Sequence, residues 1–83
     1  MEHELLAKLD QLHTTELGVA RIRKNLRLDT ADVVEWCRQR IRTATDITRK
    51  GKNWYVHVDG VIITVNTHSF TIITAHRNKN KLT

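Results

Sequence analysis

Eighty-three residues, 40% of them apolar, are enough for one small domain with a single core and too hydrophobic for a disordered chain. Fourteen Lys and Arg against nine Asp and Glu leave a formal charge of +5, which favours an acidic partner, nucleic acid being the commonest kind. No apolar run is long enough to span a bilayer, and the first residues, Met1-Glu2-His3-Glu4, are acidic where a signal peptide is basic.

The lone Cys37 cannot close an internal disulfide, which fits a reducing, cytoplasmic setting. One cysteine and scattered histidines supply no zinc-ligand spacing, and there is no Gly-rich phosphate loop or nucleophile elbow, so neither metal nor cofactor is expected.

In chain order, Glu2 to Leu12 sets Leu5, Leu6, Leu9 and Leu12 at helical spacing, an amphipathic helix with a leucine stripe for the core. Thr14 or Thr15 can cap a second helix, with Glu16 in its first turn. It runs to about Asn25, offers Leu17, Val19, Ile22 and Leu26 to the interior, and exposes Arg21, Arg23, Lys24 and Arg27. Gly18 costs roughly 1 kcal/mol relative to alanine inside a helix, which close packing against a neighbour would explain.

Asp29 reads as the N-cap of a third helix, with Asp32 three residues later and Leu28 stapled against Val33. That helix buries Val33, Val34, Cys37 and Ile41, with Trp36 at the edge of the face. Cys37 is then a packing residue rather than a nucleophile. Arg38, Arg40 and Arg42 complement the helix dipole.

Ala44 to Arg49 reads as a weak first strand, and Lys50 to Arg77 as a meander punctuated by Gly51-Lys52, Asp59-Gly60 and Thr67-His68. A two-residue turn at Asp59-Gly60 pairs Val58 with Val61, Val56 with Ile63 and Trp54 with Val65, all apolar and all on one face. The same rule at Gly51-Lys52 sets Ile47 beside Val56. At Thr67-His68 it pairs Asn66 with Ser69, Val65 with Phe70 and Ile63 with Ile72. The expected fold is α+β, about three N-terminal helices on one face of a four-stranded antiparallel meander. Residues 1–77 form the domain and 78–83 a flexible basic tail.

The opposite face follows from that register, open to solvent as antiparallel sheets allow. Its cross-strand rows are Asp46, His57, Ile62, Ile73, then Thr48, Tyr55, Thr64, Thr71, then Lys50, Asn53, Asn66, Ser69. His76 falls instead at the edge of the core face. His13 and His68 read as surface and turn residues.

Two resemblances rest on these residues. The segments Leu12-His13-Thr14-Thr15-Glu16-Leu17-Gly18, Asp32 to Cys37, Gly51-Lys52-Asn53-Trp54-Tyr55-Val56 and Thr71-Ile72-Ile73-Thr74-Ala75-His76 resemble an uncharacterised family of short bacterial proteins, which implies no activity. Helices followed by a four-stranded meander ending in a hydroxyl-rich strand are similar to the barnase/EndoU/colicin/RelE-like ribonuclease superfamily. That resemblance implies metal-independent, toxin-like RNA chemistry from the open sheet face.

The sharpest expectation is therefore a small basic RNA-binding protein acting as a metal-independent endoribonuclease. His57, oriented by Asp46, is the expected base, since histidine is the side chain that changes charge near neutral pH. Tyr55 or His76 serves as acid or donor, and Thr71 lies on the same face. Lys50, Lys52 and Arg77 hold phosphate, with Asn53 and Asn66 alongside. Two alternatives stand beside it. One is a helix-turn-helix DNA binder presenting Arg38, Gln39 and Arg42. The other is a protein-interaction module or homodimer, joined through Ile62 and Ile73 on the open face or through a strand edge.

Overall fold

The computed structural model describes residues 4–78. Three helices precede the sheet: α1 (Glu4–Ala7), α2 (Glu16–Leu26) and α3 (Val33–Arg42), with a 3-10 turn at Leu9–Gln11 between the first two. Four strands follow, β1 (Asp46–Lys50), β2 (Asn53–Val58), β3 (Val61–Asn66) and β4 (Ile72–Arg77), in the order β1-β2-β3-β4 with every pairing antiparallel. The α+β architecture expected from the hydrophobic pattern is the one observed.

The leucine stripe at the N-terminus is broken rather than continuous. Lys8 N donates to Leu5 O and Gln11 N to Lys8 O, three-residue bonds that end α1 and tighten the chain into the 3-10 turn. Arg38 of α3 explains the tightening, because its Nε donates to Leu9 O (2.9 Å) and its NH2 to Leu12 O (3.5 Å). Leu5 and Leu12 are buried, while Leu6 and Leu9 are half-buried against the core.

Thr15 caps α2, its Oγ1 accepting from Gly18 N at 3.0 Å. A Cβ on Gly18 would lie 2.2 Å from Thr14 Oγ1. That hydroxyl is held in place by donating to Ile72 O at 2.7 Å, so only glycine leaves room for it. Gly18, Ile22 and Leu26 form the buried stripe of α2. Leu17 lies one residue, or about 100°, off that stripe and is 67% exposed, not interior as its apolar character suggests.

The cap of α3 also moves. Asp32, not Asp29, accepts from Glu35 N (2.9 Å), because the cap must directly precede the first helical residue, Val33. Cys37 is fully buried on this helix, and burial pushes its thiol up to about 12, an inert packing group.

Registers of β1 with β2 and of β2 with β3 follow the turn arithmetic: Asp46 opposite His57, Ile47 opposite Val56, Val58 opposite Val61 and Trp54 opposite Val65. The β3–β4 hairpin differs. Asn66 Oδ1 accepts from His68 N (2.9 Å) and Ser69 N (3.0 Å), and Phe70 adopts φ +58°. The loop therefore runs from Thr67 to Phe70, and Asn66 N donates to Thr71 O at 2.9 Å. Val65 then pairs with Ile72 rather than Phe70, and a bulge at Ile73 shifts the rest, so that Thr64 pairs with Thr74, Ile63 with Ala75 and Ile62 with His76.

One face of the sheet carries the core with α2 and α3. Val56, Ile63, Val65 and Ile72 are 0 to 1% exposed beside Leu5, Ile22, Ile41 and Cys37, and the Trp54 and Phe70 rings lie 5.6 Å apart. Asn78, expected in the mobile tail, donates its N–H to Gly60 O at 2.9 Å. The remainder of that tail, 79–83, lies outside the described residues, as do Glu2 and His3. Among the described residues no helix is long and apolar enough to cross a membrane.

Candidate functional site

The open face is organised by strand pairing, which aligns side chains in rows across the sheet. Its first row now reads Asp46, His57, Ile62, His76. The bulge moves Ile73 out of this row and brings His76 into it, where simple alternation had put His76 on the core side. His57 and His76 flank Ile62, two strand spacings or roughly 10 Å apart. Asp46 lies across from His57, but among the described residues no hydrogen bond or ion pair joins them.

Tyr55 heads the second row, between Thr48 and Thr64. Thr48, Lys50, Gly51, Tyr55, His57 and Ile62 line a shallow groove of about 510 Å³. Lys50 reaches this groove from the free edge strand, whereas Lys52 is in the turn, fully outside, with its carbonyl accepting from Thr67 N at 2.8 Å. Asn53 is half-buried, and its Oδ1 has no hydrogen-bond partner among the described residues.

Besides His76, three predicted site residues are placed differently from expectation. Asn66 is tied to its own loop, where Oδ1 also accepts from Ser69 Oγ at 3.3 Å, so that oxygen builds the turn. Thr71 lies opposite Asn66 and not beside Tyr55. Arg77 pairs with Val61 and lines a second cavity of about 590 Å³ with Asn25, Arg27 and His76, at the opposite edge of the sheet from Lys50.

Thr71 has a partner that spacing along the chain could not show. His13 lies parallel to it in a single β-bridge, with His13 N donating to Phe70 O (3.3 Å) and Ile72 N to His13 O (2.7 Å). The imidazole Nε2 is 3.0 Å from Thr71 Oγ1, which is 2.7 Å from Ser69 Oγ. A one-residue strand leaves no period in the sequence, so only the apposition of Thr14 with β4 would have hinted at it.

Among the described residues, no group of three or more His, Cys, Asp or Glu side chains is placed to hold a metal ion. Residues 6–76 match the family described as "Protein of unknown function (DUF3781)". The chain belongs to that family. No curated protein and no solved structure matches it at a significant level. The matched segment spans α2, α3 and the sheet as far as His76 and assigns no chemistry, so the functional argument rests on the open face itself.

Proposed function

We propose that this DUF3781 chain binds single-stranded RNA across its open sheet face and cleaves it without metal. The observation that carries the proposal is the shared row of His57 and His76, two histidines on strands either side of Ile62. His57 takes the proton of the 2′-hydroxyl, whose oxygen attacks phosphorus. His76 gives a proton to the departing 5′-oxygen, leaving a 2′,3′-cyclic phosphate. Lys50 in the groove neutralises phosphate charge, and Tyr55 offers a ring on which a base can stack. Arg77 and Arg27 extend the basic path beyond His76. A formal charge of +5 supports the same reading.

The duplex-DNA reading is weaker. Arg38 is engaged with Leu9, Leu12 and Glu35, Gln39 donates to Glu35, and Arg40 stacks on Trp36 and pairs with Asp59. Of the three residues that reading would present, Arg38 and Gln39 are already engaged within the molecule and Arg42 is left exposed, a small set for reading a groove.

The test is incubation with a generic single-stranded RNA in chelator, with binding measured at two salt concentrations. Affinity should fall steeply with salt, with a log–log slope of about −0.7 for each phosphate neutralised. Cyclic phosphate ends should accumulate, and His57→Ala and His76→Ala should each slow cleavage by roughly 100-fold or more while leaving binding nearly intact. Salt-dependent binding without cleavage would reduce the proposal to a binding module, and no binding would end it.

A further inference from the structure

We infer that Thr71 is a nucleophilic hydroxyl activated by His13, and that the Thr67–Thr71 corner accepts the acyl group of small activated esters. The inference does not rest on RNA binding. Along the strands, the Thr71 row is four residues, roughly 13 Å, from the His57 row.

Hydrogen-bond directions in this corner are fixed by what each atom can do. His13 Nδ1 is 3.0 Å from Gln11 O, and a carbonyl oxygen only accepts. Nδ1 therefore carries the ring proton, and Nε2 presents its lone pair to Thr71 Oγ1 at 3.0 Å. The Thr71 hydroxyl then donates to it, and the one Ser69 hydroxyl proton is shared between Thr71 Oγ1 at 2.7 Å and Asn66 Oδ1 at 3.3 Å, the nearer oxygen taking the larger part. An oriented imidazole in contact with a hydroxyl is the arrangement that generates an oxygen nucleophile, here with a backbone carbonyl in the orienting role.

The parts are held, not merely adjacent. The His13 backbone is bonded to both Phe70 and Ile72, on either side of Thr71. Phe70 occupies the left-handed region at φ +58°, a strained conformation for an aromatic residue, and this turns Ser69 and Thr71 side by side. Asn66 Oδ1 secures the other end of the loop. His13 and Ser69 are exposed and Thr71 is half-buried, so a small electrophile can reach the oxygen.

In the reaction, Thr71 Oγ1 attacks the ester carbonyl carbon as its proton passes to His13 Nε2. Once the Thr71 lone pair is used, the Ser69 hydroxyl is released to donate to the carbonyl oxygen as it becomes negative. The bond to the alcohol or phenol then breaks, and the leaving oxygen takes the proton back from His13. The product is an acyl-threonine, and water deprotonated by His13 hydrolyses it.

The experiment treats the full chain with p-nitrophenyl acetate, follows phenolate release, and locates the acetyl group by peptide mapping. One acetyl per chain is expected on Thr71. His13→Gln keeps the backbone bridge and should slow Thr71 acylation by roughly 100-fold or more. Ser69→Ala, on the exposed loop, should preserve the fold and slow it roughly 100-fold through loss of the oxyanion donor. Thermal unfolding of each variant confirms that the fold persists. Acetyl groups on lysines alone, or Thr71 acylation unchanged in both variants, would overturn the inference. A chain that acylates Thr71 yet binds no RNA keeps this inference and removes the ribonuclease reading.

Discussion

The two edges of the sheet are built on opposite principles. β1 presents an unpaired edge, with four of its five residues exposed, and Asp46, Arg49 and Lys50 make that edge unattractive to another strand. β4 has its edge groups satisfied from within: Ile72 N by His13 O, Ile72 O by the Thr14 hydroxyl and Ala75 O by Asn25 Nδ2. Charge alone protects a strand from aggregation but does not hold it in place. Sealing with backbone and side-chain bonds does both, and the sealed edge is where His76 and Thr71 are found.

Truncating one isoleucine on each strand tests the contrast most strongly. Ile72→Ala in β4 removes a side chain 1% exposed and should cost about 3 kcal/mol in urea unfolding, whereas Ile47→Ala, at the one half-buried position of β1, should cost about 1 kcal/mol. Equal losses would mean that the β1 edge is as firmly packed as β4.

A smaller effect is expected from Asn25→Ala, which deletes the bonds to Ala75 O (3.2 Å) and Thr74 Oγ1 (3.4 Å) and should cost about 1 kcal/mol. Amide exchange should quicken in β4 and not in β1; uniform acceleration would show that α2 does not brace that edge specifically.

The slightest effect concerns Glu35. Hydrogen bonds from Gln39 and then Arg38 hold its carboxyl below the usual glutamate value, and Arg38 in turn grips the 3-10 turn that leads to His13. A depressed folded-state value means that the contribution is present above the unfolded value and is lost as pH falls through the folded one. The urea midpoint should therefore decline slightly on acidification through that range, and Glu35→Gln should flatten that decline. The change is small because the pair is solvent-screened.

Legibility from sequence tracked the chemistry of each turn. Asp59-Gly60 and Gly51-Lys52 contain residues that readily take positive φ, and Asp59, Gly60 and Gly51 do so at +53°, +77° and +64°. Their strand registers were accordingly readable, and with them the placement of Tyr55, His57 and Lys50. Thr67-His68-Ser69-Phe70 contains no glycine. Its length depends on the Asn66 side chain folding back and on a phenylalanine in the left-handed region, a choice local preference disfavours. From that one turn follow the misplacement of Thr71 and, with the Ile73 bulge, that of His76. His13 was opaque for a different reason, since its role comes from a contact with residue 71 and not from its neighbours. Leu17 was misread by one residue around its helix and the α3 cap by three along the chain, Asp29 for Asp32.

The His13–Thr71 contact also has a consequence for how the chain folds. Its two residues are 58 positions apart, while each hairpin closes over only a few. Bringing together such distant segments is the slow part of folding a small domain. During synthesis, α2 and the segment before it emerge long before β4 exists, and their apolar stripes wait uncovered until the last strand arrives. The seal on β4 is then a late event that converts a loosely assembled meander into the finished protein.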